Sequence, residues 1–194
     1  MDTSPGPSPD DERGAPPVPP LAALERAALE VERHVAVAGW DAPPRVFALL
    51  RTADAVATDP SLADVLPAEV VAEALGDPDH LTSVEQGELP EAEGLEELLG
   101  RIGWPPAVAG AAVVVERVVV PPSVELPEDP AAALEAVRSH PERQDVRIAV
   151  AVLRDGSTGS AVRRRLEDDD LRVVVGEDLV PGLSAALRAT LTGG

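Results

Sequence analysis

Lysine, asparagine, cysteine and tyrosine are missing from these 194 residues, so all sixteen fixed cations are arginine. Without lysine there is no Schiff-base amine and no phosphate-loop ammonium. Without cysteine there is no thiolate nucleophile, disulfide or cysteine-bound zinc. Aromatic side chains are confined to Trp40, Trp104 and Phe47, which leaves no base-stacking platform and requires an aliphatic core. Isoleucine is nearly absent as well. The scarce residues share AT-rich codons, so a GC-rich coding sequence accounts for the pattern without a functional cause. No run approaches the ~20 apolar residues of a membrane helix. Met1-Asp2-Thr3-Ser4, followed by prolines and acids, has neither the cationic nor the apolar part of a signal peptide, and a cytoplasmic protein is expected.

What is abundant is acid. Thirty-five Asp and Glu give a formal net charge of −19. Such a surface repels phosphate backbones and anionic lipid, so neither nucleic acid nor membrane is an expected partner. A neutral or basic protein, or a second copy in a homodimer, is.

Residues 1–20 carry seven prolines among acids, Ser and Gly. They cannot bury enough apolar surface to offset their ordering entropy, and a disordered tail with polyproline character is expected. Residues 21–194 read as a single α+β domain. Leu21, Leu24, Ala28, Val31, Val35 and Ala38 recur at helical spacing, with Glu25, Arg26, Glu30, Glu32 and Arg33 assigned to the wet side and Gly39 as terminator. Arg45–Ala53 alternates as a first strand. Ser61–Leu75 is helical with a break at Pro67, and Leu81–Gln86 reads as a short edge strand. Glu91–Ile102 is an amphipathic helix. The valine-rich stretch 108–120 predicts a central strand, with a bulge or emergence to solvent at Glu116-Arg117. Asp129-Pro130 caps a helix that stops before Pro141. Val146–Leu153 and Ser160–Leu166 pair around the Asp155–Gly159 turn. Leu171–Val175 is a last strand, and a closing helix runs to about Leu191. The expected architecture is a two-layer sandwich, helices packed on one face of a mainly antiparallel sheet.

Chemical candidates are few. Arg163-Arg164-Arg165 is the one concentrated positive spot, a contact for an anion or an acidic peptide unless the adjacent acids neutralise it. Glu167-Asp168-Asp169-Asp170 reads as a solvated acidic turn, since consecutive carboxylates cannot all converge on one ion. Trp40 and Trp104 each follow a glycine that ends a helix, which would bring both rings to one end of the fold around a small-molecule pocket. His34, His80 and His140 form no metal-binding pair, and a His80/Ser83/Glu85 triad lacks the nucleophile elbow that would support it. No catalytic residue, metal or cofactor is expected.

Several stretches are distinctive: Gly39-Trp40-Asp41-Ala42-Pro43-Pro44-Arg45-Val46-Phe47-Ala48-Leu49, His80-Leu81-Thr82-Ser83-Val84-Glu85-Gln86, Gly103-Trp104-Pro105-Pro106, and Asp178-Leu179-Val180-Pro181-Gly182-Leu183. Together they resemble a family of small actinobacterial proteins to which no activity is assigned, so the resemblance implies no catalytic residue. The helix-flanked antiparallel layout is more loosely similar to secretion-chaperone-like folds. The preferred expectation is a non-catalytic interaction or regulatory module that holds a protein segment on a sheet face or helix groove. The alternatives are a carboxylate- and metal-dependent hydrolase using His80, Glu85 and Asp168 to Asp170, or a small-molecule binding domain.

Overall fold

A computed structural model describes residues 22–121 and 123–192. The proline-rich stretch expected as a tail lies outside the described residues.

Helix α1 (Ala23–Ala36) leads through Gly39, at φ +86°, into β1 (Arg45–Arg51). Three short helices follow, α2 (Thr52–Thr58), α3 (Leu62–Val65) and α4 (Ala68–Gly76), and then β2 (Leu81–Glu85). Helix α5 (Leu95–Gly100) precedes the long strand β3 (Gly110–Val119). Helix α6 (Pro130–Ser139) is capped by Asp129, whose side chain accepts from the Ala132 N–H at 2.8 Å. Strands β4 (Gln144–Leu153), β5 (Thr158–Arg164) and β6 (Val174–Gly176) and helix α7 (Pro181–Thr192) complete the order.

The six strands form one sheet, β2-β1-β3-β4-β5-β6, and every neighbouring pair is antiparallel. The α+β class is as expected. The valine run 113–115 lies on a strand flanked by β1 and β4, where both faces are covered, hence its β-branched composition. Pairing of β3 with β4 is one-to-one from Gly110↔Leu153 to Val119↔Gln144, so Glu116-Arg117 makes no bulge; the strand instead emerges to solvent there.

Helices cover both faces of the sheet rather than one. Leu24, Ala27, Ala28, Val31 and Val35 of α1 pack on Phe47, Leu49, Ala112, Val114, Ala149, Ala151 and Ala161. On the other face, Leu98 and Leu99 of α5, Trp104, and Leu187 and Leu191 of α7 pack on Val46, Val113, Val115, Ile148, Val150 and Val152. The even and odd residues of the central strands therefore each serve a core of their own. Contact on the α1 face is close: a Cβ on Gly159 would overlap the Leu24 backbone and come within 2.6 Å of Glu25 N.

Three local expectations need adjusting. The chain leaves β1 at Arg51 and turns helical over Thr52–Thr58, because Thr52 tethers it to the next strand: its N–H donates to His80 O at 3.0 Å and its hydroxyl bonds Thr82 Oγ1 at 2.7 Å. Helix α5 starts at Leu95 rather than Glu91. Asp170–Arg172 is a 3₁₀ turn, because the side chain of Asp169 captures the Leu171 N–H at 2.9 Å, and the last strand shortens to Val174–Gly176.

Candidate functional site

Strand register sets the arginine cluster first. Glu116, Arg147 and Arg163 lie opposite one another across β3, β4 and β5, all on the α1 face. Arg147 and Arg163 are buried at 0% and 2% exposure, and Glu32 of α1, at 0%, lies over them. Arg163 Nε and Nη2 donate to the two Glu32 oxygens at 2.7 and 2.8 Å, and Nη2 also donates to Asp170 at 2.6 Å. Arg147 reaches Glu116 Oε1 at 2.9 Å and the carbonyl of Gly39. Its Nη1 has no hydrogen-bond partner among the described residues; Glu32 Oε1 stands 3.6 Å away. The Arg147 guanidinium stacks on the Trp40 ring at 4.3 Å, where a cation–π contact replaces part of its lost hydration.

The outer shell of this cluster is equally committed. Arg165 pairs with both oxygens of Asp41 at 2.7 Å and lies 5.4 Å from the Trp40 ring. Asp41 sits at φ +69°, a left-handed conformation that its pairing to Arg165 and an N–H bond to Glu116 hold in place. Trp40 Nε1 donates to Asp168 at 3.0 Å. Hydrogen bonds from Arg165 and Arg163 hold the Asp41 and Asp170 carboxyls below the usual carboxylate range, and the guanidinium pKa values of Arg163 and Arg165 are raised in return. Of the expected contact residues, then, Arg163 faces inward and is saturated by carboxylates. Arg164 is half-exposed with Glu167 at 3.9 Å, and Arg165 is bound to Asp41. The neighbouring acids neutralise the triplet. Asp168 and Asp170 both pair with Arg163 while Glu167 lies near Arg164 and Arg172, and among the described residues no group of three or more His, Asp or Glu could hold a metal ion.

The two tryptophans do not share a pocket. Trp104 belongs to the core beneath α7, and its indole N–H donates to Thr190 Oγ1 at 2.9 Å. Its carbonyl accepts from Arg154, just past one end of β4, whereas Trp40 stacks on Arg147 near the other, about 23 Å away at ~3.3 Å per strand residue. The rings also lie on opposite faces, because Arg147 points to the α1 side. The imagined triad is likewise dispersed. His80 Nδ1 bonds Thr52 Oγ1 at 2.8 Å, and Glu85 is taken by Arg45 at 2.5 and 2.7 Å and by His34 at 3.0 Å. Burial alone would raise the Glu85 carboxyl; the Arg45 and His34 hydrogen bonds outweigh it and hold the group low.

A hollow beside an open strand edge lies along β2. Gln86 N donates to Val46 O and Thr52 N to His80 O, which fixes the alternation between β1 and β2. Leu81, Ser83 and Glu85 therefore turn their backbone N–H and C=O groups away from β1, and no described residue hydrogen-bonds to them. Beside this edge, on the face covered elsewhere by α5 and α7, a hollow of about 380 Å³ opens. Ala48, Leu50 and Val84 are its floor, and Leu89, Ile102 and Trp104 form its wall. Val84 is 44% exposed there. The edge strand was legible from the sequence. The hollow was not, because the 86–108 segment that walls it shows no alternation.

A family model described as PPA1309-like protein matches residues 24–192. No curated protein and no solved structure matches the chain.

Proposed function

The chain belongs to the PPA1309-like family, and we propose that it is a non-catalytic module that holds an extended protein segment along β2. One observation carries this reading: a strand edge at Leu81, Ser83 and Glu85, unpaired among the described residues, runs beside a largely apolar hollow floored by Leu50 and Val84. An added strand gains main-chain hydrogen bonds from the edge, and every second side chain gains a pocket. Natural edges are ordinarily blunted by charge, proline or a covering element; here Val84 is left half-open instead. A cytoplasmic, actinobacterial setting belongs to the same proposal and is supported by the cysteine-free, arginine-only composition. The comparison with secretion chaperones is supported by helices laid on an antiparallel sheet.

The test is selection from a displayed library of short random peptides. Selected peptides are expected to slow amide exchange at Ser83 and Glu85 and to bind the Val84→Arg variant at least about tenfold more weakly, a difference of ~1.4 kcal/mol. If nothing is selected, or Val84→Arg binds the selected peptides as well as wild type does, the reading is wrong.

A further inference from the structure

We infer that the segment held by β2 alternates basic and apolar residues, its apolar side chains entering the hollow and a basic one reaching Glu30 and Glu73; the inference rests on the reading of β2 as a peptide-holding edge. Successive side chains of an added strand point to opposite faces of the sheet. On one face they meet Leu50, Val84, Leu89 and Ile102. On the other face, toward α1 and the Leu81 end of the edge, they meet Glu30 and Glu73.

The charge inventory there is specific. Glu30 makes no ion pair with any described residue. Loss of surrounding water raises its carboxyl above the usual range; His80, Arg26 and Arg33 pull it down and Glu73 pushes it up. The cation in ion-pair range of Glu73 is His80, at 3.5 Å, and that imidazole is positive only when protonated. Three other cations on this side already have carboxylates: Arg26 bonds Asp77 at 2.5 Å, Arg51 bonds Asp79 at 2.5 Å, and Arg45 is paired with Glu85; Arg33 makes no ion pair with a described residue and acts on Glu30 only at longer range. An arginine or lysine arriving with a bound segment would give Glu30 and Glu73 a direct ion-pair partner. The formal net charge of −19 favours the same sign of partner at longer range.

The experiment compares three synthetic peptides by calorimetry against the full chain: alternating Val and Arg, alternating Val and Glu, and alternating Ser and Arg. The Val/Arg peptide alone is expected to bind, with affinity that falls as salt rises. Combining Glu30→Gln with Glu73→Gln should weaken it about tenfold. If the Val/Glu peptide binds as well, or the double variant is unaffected while Val84→Arg abolishes binding, the charge preference is overturned and the edge reading stands. Binding of the Ser/Arg peptide as strong as that of Val/Arg would overturn the role of the hollow. If no peptide binds, or Val84→Arg is without effect, both readings fall. A free protein that is a dimer by light scattering and is dissociated by Val84→Arg assigns the edge to a second copy and overturns both. So does protection of the Ser83 and Glu85 amides in the free chain that disappears when residues 1–21 are deleted, which assigns the edge to the chain's own N-terminal segment.

Discussion

Glu32 on α1 grips Arg163 on β5 through two hydrogen bonds of 2.7 and 2.8 Å, and both residues are shut off from solvent. The pair ties α1 to the sheet, and Arg147 stands in register beside Arg163 beneath the same carboxylate. Removing Glu32 would leave two buried guanidinium groups short of an anion. Glu32→Ala should therefore cost about 3–5 kcal/mol in urea unfolding. Loss of less than ~1 kcal/mol would show that water or a neighbouring acid takes its place.

Acid should weaken the fold by a defined route. Asp41, Asp170, Asp155 and Glu85 all have lowered carboxyl pKa values. A carboxyl whose folded pKa is lowered contributes stability that is fully present above its unfolded value, ~4, and is lost as pH falls through the folded value. Urea midpoints should hold steady down to about pH 5 and fall steeply below ~4. Arg45→Gln, which removes the largest hydrogen-bonding cause of the Glu85 shift, should make that acid limb shallower.

Glu30 has the opposite sign. Its raised pKa means the folded chain binds a proton there more readily than the unfolded one, so the ionised carboxylate lowers stability at neutral pH. Glu30→Gln should raise the urea midpoint at pH 7, and the gain should shrink toward pH 4. An equal gain at both pH values would assign the effect to something other than charge.

Backbone contact at Gly159 has no slack. Gly159→Ala would drive a methyl group into Leu24 and Glu25, and α1 would have to lift from the sheet. A loss of about 3 kcal/mol or more is expected, the upper end for overpacking. Gly100→Ala, where a Cβ meets nothing within 4 Å, should be neutral or stabilising by ~0.5 kcal/mol and serves as the control in the same melts.

Thr190→Val should cost about 1–3 kcal/mol, because it leaves the buried indole N–H of Trp104 without its acceptor. Trp104→Phe combined with Thr190→Val should recover part of that loss, since both polar groups then leave together.

Much of the architecture was legible because local signals agreed with it. The 24–28–31–35 stripe on α1, the Asp129-Pro130 start of α6 and the valine run of β3 each became the expected element. The charged interior was not. Glu32 read as one of the wet residues of α1, although it follows Ala28 by four and precedes Val35 by three, which places it on the buried stripe. Arg147 carries the phase of Ala149 and Ala151 and so had to face α1 once that face was covered. Arg163 read as a contact for something outside the protein, and its true partner is 131 residues away in the chain.

Composition and periodicity alone determined that this chain has an aliphatic core, a mainly antiparallel sheet with helices, and no lysine or cysteine chemistry, because those properties depend on residue type and short-range spacing. Tertiary structure decided which charges are spent inside, that the two tryptophans lie apart, that both faces of the sheet are covered, and that β2 keeps an open edge beside a hollow. These depend on strand order and on register between distant segments, and a one-residue slip in register would turn Arg147 and Arg163 to the opposite face.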